Sequence, residues 1–389
     1  MSKPITTFED FVRRILVVIF WAALLSVVVI VPVYYALDAV FHFPVDYIHM
    51  AINPNLAMSY TQTMLSTEPF KTLFALTVFP GFSFVAIYGT ILMGWVERKF
   101  TAKIQLRTGP MNAGKVEGIL QNIADFFKLA FKEIVIPDGV DRATFLAIPF
   151  ALMAVAGGLI ALVPLSPTTY IANPSVGAVL VFAILGFTPL VVLLAGWASN
   201  SKYPFLGGLR ALHQLVAYEI PMILSLVGAV LLSGSLNLMG IVTAQSGIWY
   251  IVLQPLGAIV FYIGALAELE RIPFDIPEAD SELVAGWQTE YTSMLFGTFQ
   301  LANFSRMYVM AGLFTTFFLG GWLGPAPVPP EVWFILKVTL VMIVMMLPRS
   351  IMPRVRIDLL LRAGWVRLLA LSFANLFLTM LIISLGVVK

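Results

Sequence analysis

The sequence predicts an all-α, polytopic integral membrane protein, and three observations carry that prediction. Of its 389 residues, 60% are apolar and only 11% are charged, too few to coat soluble domains of that size. The mean hydropathy is +0.93. Nine stretches reach roughly the 20 apolar residues that a spanning helix needs: 15–37, 71–95, 143–164, 177–198, 213–233, 248–267, 294–323, 332–350 and 366–387.

The first stretch follows Lys3, Arg13 and Arg14 and is long, with no small-residue cleavage site after it, so it reads as a retained span and not as a signal sequence. With the N-terminus in the cytoplasm, 19 of the 23 Lys and Arg residues fall on the inner side and the C-terminus lies outside. The outer connections 165–176 and 234–247 carry no charge, whereas the inner ones are long and mixed in sign. The chemistry is therefore expected on the cytoplasmic face. The chain has no Cys, which excludes disulfides, thiol catalysis and cysteine-ligated iron-sulfur clusters within it, and His42, His49 and His213 are too scattered to form a local metal site. There is no phosphate loop, nucleotide fingerprint or hydrolase triad, so no self-contained catalytic site is expected.

Four inner segments hold the informative residues. The first runs from Glu97, Arg98 and Lys99 through Arg107, Gly109 and Pro110 to a stretch in which Ile119, Leu120, Ile123, Phe126, Phe127, Ala130 and Phe131 recur at helical spacing opposite Asp125, Lys128 and Lys132. This is a helix at the membrane interface. Such a pattern more commonly means a surface anchor; the sharper reading is one wall of a lipid-accessible cavity, and periodicity leaves both open. The second segment, from Gly196 to Arg210, leads into a span carrying Gln214, Tyr218 and Glu219, with Pro221 just after. A carboxylate at that depth costs several kcal/mol unless it is paired, hydrated or protonated, so Glu219 is either functional or an ion-pair partner of Arg210 or Arg306.

The third segment sets Glu268, Glu270, Asp275, Glu278, Asp280, Glu282 and Glu290, seven carboxylates, against the single cation Arg271 within 23 residues, with Pro273, Phe274 and Pro277 folding it back on the protein. In a solvated loop such acids simply disperse into water. Held close together they cannot all ionise cheaply, and they then share protons, as a proton relay requires. The fourth, Arg349 with Arg354, Arg356, Asp358, Arg362, Trp365 and Arg367, is a basic juxtamembrane segment suited to lipid headgroups.

Taken in order, Glu-Arg-Lys at 97–99, Arg107 with Gly109-Pro110, Ala124-Asp125, Lys132-Glu133, Gly196 to Lys202, Tyr218-Glu219, Ala267-Glu268, Arg271 with Pro273-Phe274-Asp275, Ser281-Glu282-Leu283-Val284, Glu290-Tyr291 and Pro353-Arg354 resemble the H-type (subunit 1) membrane subunit of complex I. They are also similar to its relatives in F420H2 dehydrogenases and energy-converting hydrogenases. The resemblance covers about 75–389 and implies a membrane domain over 71–389, with cavity loops at 97–142 and 267–290. It makes 1–70 an N-terminal extension of one extra span and an outer loop. It further implies a quinone cavity that includes Arg98, Arg107, Asp125, Glu133, Arg271 and Phe274, and a proton path through Glu219, Asp275, Glu278, Asp280, Glu282 and Glu290.

The implied substrate is quinone, at a cavity shared with peripheral-arm subunits that carry the terminal iron-sulfur cluster; iron-sulfur clusters and flavin are all expected on partner subunits. The implied partners in the membrane are small membrane subunits, antiporter-like pumping subunits and lipid, and no nucleic-acid partner is expected. The sequence departs from this pattern at Asn303-Phe304, where Glu-Tyr is common, at Asp280 for Glu, Ala217 for Ser and Asn122 for Pro, and at Leu359-Leu360-Leu361, where a Gln is usual. A membrane subunit of an energy-converting hydrogenase is the nearest alternative. A standalone transporter fits less well, because the ionisable residues gather at the cytoplasmic edge and not at the midplane.

Overall fold

The computed structural model describes Val85 and residues 87–114, 118–167, 169–325 and 328–386, and all regular structure among them is helical. The extension 1–70, with its predicted span, lies outside the described residues, as do most of 71–84. A π-helical stretch, Ile87–Met93, continues into α1, Gly94–Ile104. The amphipathic segment is α2, Gln121–Phe131, and it leaves Phe126, Phe127 and Phe131 exposed. There follow α3, Arg142–Leu162; α4, Gly177–Leu185; α5, Phe187–Ala198; α6, Lys202–Ser233; α7, Leu238–Ala244; α8, Tyr250–Leu253; and α9, Pro255–Glu268. The acidic segment contributes only α10, Asp280–Leu283, and a single 3-10 turn, Gly286–Gln288. The chain ends with α11, Ser293–Phe318; α12, Pro330–Ile351; α13, Ile357–Arg362; a π-helical turn, Ala363–Leu368; and α14, Leu369–Ser384.

Among the described residues five helices are long and apolar enough to cross a membrane: Arg142–Leu162, Gly177–Ala198, Lys202–Ser233, Pro330–Ile351 and Ile357–Ser384. The differences from the predicted spans have local causes. The 248–267 stretch is divided, because Pro255 cannot continue the turn begun at Tyr250 and instead opens α9 as its first residue. The 294–323 stretch forms α11, but Gln300, Asn303 and Arg306 lower its hydropathy, and it stops before Gly320 and Gly321, both at positive φ. Two segments expected as cytoplasmic connections are helical instead. Helix α6 begins at Lys202, with Pro204 in its first turn, where a missing N–H is harmless, and the last span begins at Ile357 and not at 366.

Helix α6 is the hub, packing on α5, α9 and α14, while α11 is flanked by α3, α12 and α2. At Gly207 the α6 backbone approaches so closely that a β-carbon would lie 2.6 Å from the Trp287 amide nitrogen. The acidic segment is thereby clamped against the membrane bundle. On the opposite side, Lys337 of α12 donates to the carbonyls of Leu319 (2.7 Å), Gly321 (3.0 Å) and Leu323 (2.6 Å), capping the C-terminus of α11.

Candidate functional site

Helix α2 is fastened at both ends. The Asn122 amide donates to the carbonyls of Thr90 (2.8 Å) and Ile91 (3.1 Å), and the Ser293 hydroxyl donates to those of Leu129 (3.0 Å) and Lys132 (2.5 Å). Asn122 thus uses its amide for work that the commoner Pro could not do. Between α2, α1 and α11 lies a cavity of about 520 Å³ lined by Arg98, Asp125, Phe126, Lys128, Gln300 and Phe304 among others. Arg98 and Asp125 are bridged at 2.7 Å, and Gln121 donates to the other Asp125 oxygen at 3.0 Å.

A second cavity, about 170 Å³, is lined by Glu270, Arg271, Asp275, Glu278, Asn303 and Arg349, and again by Gln300 and Phe304. Those two side chains are the wall common to both cavities. The Phe304 ring sits under the Arg271 guanidinium, 5.6 Å from its carbon. Arg271 is in turn held at 2.7 Å by the buried Glu97 of α1, which also accepts from Arg349 of α12. Burial by itself raises the Glu97 carboxyl, but the two guanidiniums outweigh it and hold the group below its ordinary value.

Each acid of the third segment has its own surroundings. Glu268, buried at the end of α9, pairs with Arg306 at 3.1 Å. Glu270, held at a φ of 51° and also buried, accepts the Trp287 indole N–H at 3.2 Å with one oxygen, while the other has no partner. Glu278 accepts from the Gln288 amide. Asp275 is bridged to Arg354 at 2.8 Å, and the exposed Glu282 to Arg210 at 2.5 Å. Burial pushes the Glu270 carboxyl up to about 7, with Arg306 and the indole opposing it and Asp275 adding to it. Burial also holds Glu278 well above the usual carboxylate range, and Glu270 and Asp275 reinforce it.

The predicted cavity residues divide accordingly. Arg98 and Asp125 line the first cavity and Arg271 the second. Arg107 and Glu133 are exposed and line neither, Arg107 donating instead to Gln105 at 2.8 Å. Phe274 is buried edge-on against Tyr218, with ring centroids 5.1 Å apart, and also lines neither. Of the predicted relay, Asp275 and Glu278 share the second cavity, while Glu282 and Glu290 stand outside it. Asp280 opens α10, and its side chain lies outside the described residues. Glu219 pairs with neither suggested cation, since Arg210 goes to Glu282 and Arg306 to Glu268; one of its oxygens lies 3.3 Å from where a Gly186 β-carbon would be, at the break between α4 and α5. Sequence reasoning counted Glu268 and Glu270 among the seven acids of the third segment but gave neither a place in the path, and it left Glu97 out of the site, although Glu97 heads the first motif. Only their burial and their distant partners distinguish them.

The raised Glu270 carboxyl has a consequence for stability. In the folded protein Glu270 keeps its proton up to pH about 7, whereas in the unfolded chain it releases it near the ordinary value of 4.5. The native state binds the extra proton across that window, so stability falls as pH rises through it, by about 3 kcal/mol for this group alone. Melting temperatures of the assembled complex between pH 5 and 8 should therefore decline less steeply in Glu270→Gln than in the wild type. Parallel curves would contradict the buried, protonated Glu270.

A sequence profile of the NADH dehydrogenase family matches residues 76–380. The chain is similar to the H-type subunit of NADH-quinone oxidoreductase from Anoxybacillus flavithermus, 44% identical over 290 residues that make up 74% of this chain and 87% of that one. It is similar to the subunit of the same name from Bacillus cytotoxicus, 44% identical over 301 residues, 76% of this chain and 90% of that one. The corresponding subunit of Bacillus thuringiensis is 43% identical over 302 residues, with the same coverage of 76% and 90%.

Proposed function

The chain belongs to the NADH dehydrogenase family as an H-type membrane subunit of complex I, and from that premise we propose that it supplies the quinone cavity and the first proton-carrying acids of an NADH:quinone oxidoreductase. The observation that carries this reading is the pair of cavities sharing the Gln300 and Phe304 wall, one bounded by an amphipathic helix and the other by Glu270, Asp275 and Glu278. A cavity of about 520 Å³ is in the range that holds a ligand of quinone-headgroup size. Quinone carbonyls accept hydrogen bonds, and Arg98, Lys128 and Gln300 offer donors.

Electrons would come from an iron-sulfur cluster on a peripheral-arm partner, with the flavin also on partner subunits. Reduction of the quinone by two electrons calls for two protons and changes the charge beside Gln300 and Phe304. That change in field reaches Glu270 and Glu278 across the wall and biases where their protons go, with Glu219 continuing the path into the membrane towards the pumping subunits. Arg107 and Glu133, exposed at the foot of α1 and after α2, face the peripheral arm in this reading, and Glu282 and Glu290 lie at the rim of the acidic path. The N-terminus is cytoplasmic and the C-terminus outside.

The test uses the assembled complex, with electron transfer and proton pumping measured separately. Glu278→Gln keeps a hydrogen-bonding group beside Gln288, so electron transfer should stay within a few-fold of wild type while pumping falls by roughly 100-fold, the lower end for loss of a positioned proton carrier. Arg98→Ala should instead raise the quinone KM about tenfold, the loss of one charge-assisted hydrogen bond, with pumping per electron unchanged. Wild-type pumping in Glu278→Gln would remove that residue from the relay.

A further inference from the structure

Arg306 and Asn303 stand one turn apart on α11, at the place where the family resemblance leads one to expect a carboxylate at 303. The residue at 306 is 1% exposed, and so is Glu268. One terminal nitrogen of Arg306 lies 3.1 Å from Glu268 Oε1 and also donates to the Glu268 main-chain carbonyl. The other lies 3.5 Å from Asn303 Oδ1, at the outer limit of a hydrogen bond, and Nε has no acceptor. Arginine does not lose its proton inside proteins, so this is a permanent buried charge.

Among the described residues Arg306 is the one cation at ion-pair distance from any of Glu268, Glu270 and Glu278. The neighbouring cations are committed elsewhere: Arg271 and Arg349 to Glu97 of α1, and Arg354 to Asp275. Facing the group from α6 is Glu219, whose charge reaches Glu268 and adds to the excess of acids. Burial by itself favours the protonated acid at Glu268. The Arg306 guanidinium opposes this, and its charge reaches Glu270 and Glu278 as well, so it favours a carboxylate somewhere in the cluster. Glu270 and Glu278 accept hydrogen bonds only from neutral donors, an indole and an amide, so neither is locked in one protonation state by a bonded cation.

We propose that Arg306 is a positioning residue whose fixed, buried positive charge holds one carboxylate ionised in the cluster of Glu268, Glu270 and Glu278 and leaves the other acids to exchange protons. This rests on the relay reading above and specifies which acids carry it. A glutamate at 303 would bring a second carboxylate to a guanidinium that already has one.

The test counts protons without turnover. In the assembled complex carrying isotope-labelled glutamate, infrared spectroscopy at neutral pH reports how many glutamate carboxyls are protonated. Arg306→Gln and Asn303→Glu each raise the excess of acids over cations by one, so each should gain about one protonated glutamate carboxyl. Arg306→Lys should restore the wild-type spectrum, and the pH profile of quinone-coupled proton transport in Arg306→Gln should move to higher pH by about one unit or more, because loss of a nearby cation raises the acids' proton affinity. A wild-type spectrum and profile in Arg306→Gln overturns the proposal. Should that variant not assemble, Asn303→Glu carries the test, and a new glutamate that adds no protonated carboxyl overturns it. Because no quinone is turned over in the infrared measurement, its failure is separable from failure of the relay reading, which Glu278→Gln tests by pumping.

Discussion

Replacing Gly286 by alanine is expected to prevent the complex from assembling. Gly286 holds a φ of 56°, in the left-handed region that costs an L-residue about 1 kcal/mol. The larger obstacle is space: a β-carbon there would lie 1.8 Å from the Pro277 carbonyl oxygen and 3.1 Å from the Glu278 α-carbon, both main-chain atoms that no rotamer change can move. Relief requires one of two displacements. Either Pro277 and Glu278 move, taking the Glu278 carboxyl from the Gln288 amide, or Gly286 and Trp287 move, lifting the indole from Glu270 and the loop from its seat against Gly207. Overpacking of this kind costs another 1–3 kcal/mol, and buried acids left without their donors cost about as much again. Native gels of membranes should show little or no complex in Gly286→Ala. Wild-type amounts melting at the wild-type temperature would contradict the close approach to Pro277.

The helical architecture was legible because apolar runs of spanning length have few other uses, and the errors fell where local chemistry interrupts a run. Pro255 divides a stretch that hydropathy reads as continuous, and charges at Lys202 and Arg210 disguise the first turns of α6 as a loop. Composition and resemblance marked the acidic segment, but its acids could not be ranked, since α10 and one 3-10 turn give it no usable periodicity. Glu278 and Glu282 are four residues apart and look alike in sequence, yet one is shut in beside Gln288 and the other is bridged to Arg210 at the surface. The partner that decides each case lies far along the chain. Arg306 could equally have gone to Glu219, and only the packing of α11 against the end of α9 sends it to Glu268. Glu97 meets Arg349 across 252 positions, a pairing no local pattern announces.

That pairing makes Glu97→Leu the other variant with a large effect, because the two arginines it releases are not equivalent. The Arg349 side chain is 50% exposed and can swing into water, so its share of the loss is below about 1 kcal/mol. Arg271 is 11% exposed, lies over the Phe304 ring, and has no other carboxylate at ion-pair distance among the described residues. Leaving it as an uncompensated buried charge costs about 3–5 kcal/mol. Thermal melting of the assembled complex should therefore show a large loss in Glu97→Leu. Much of it should be recovered in Glu97→Leu/Arg271→Leu, since exchanging a whole buried ion pair for apolar side chains is close to neutral. Adding Arg349→Leu to Glu97→Leu should recover little. Equal recovery by the two second-site changes would mean that the solvent-facing arginine matters as much as the enclosed one. A displaced Arg271 also frees Phe304, the wall between the two cavities, so whatever complex survives in Glu97→Leu should bind quinone more weakly, while the double variant regains stability but not the cation over the ring.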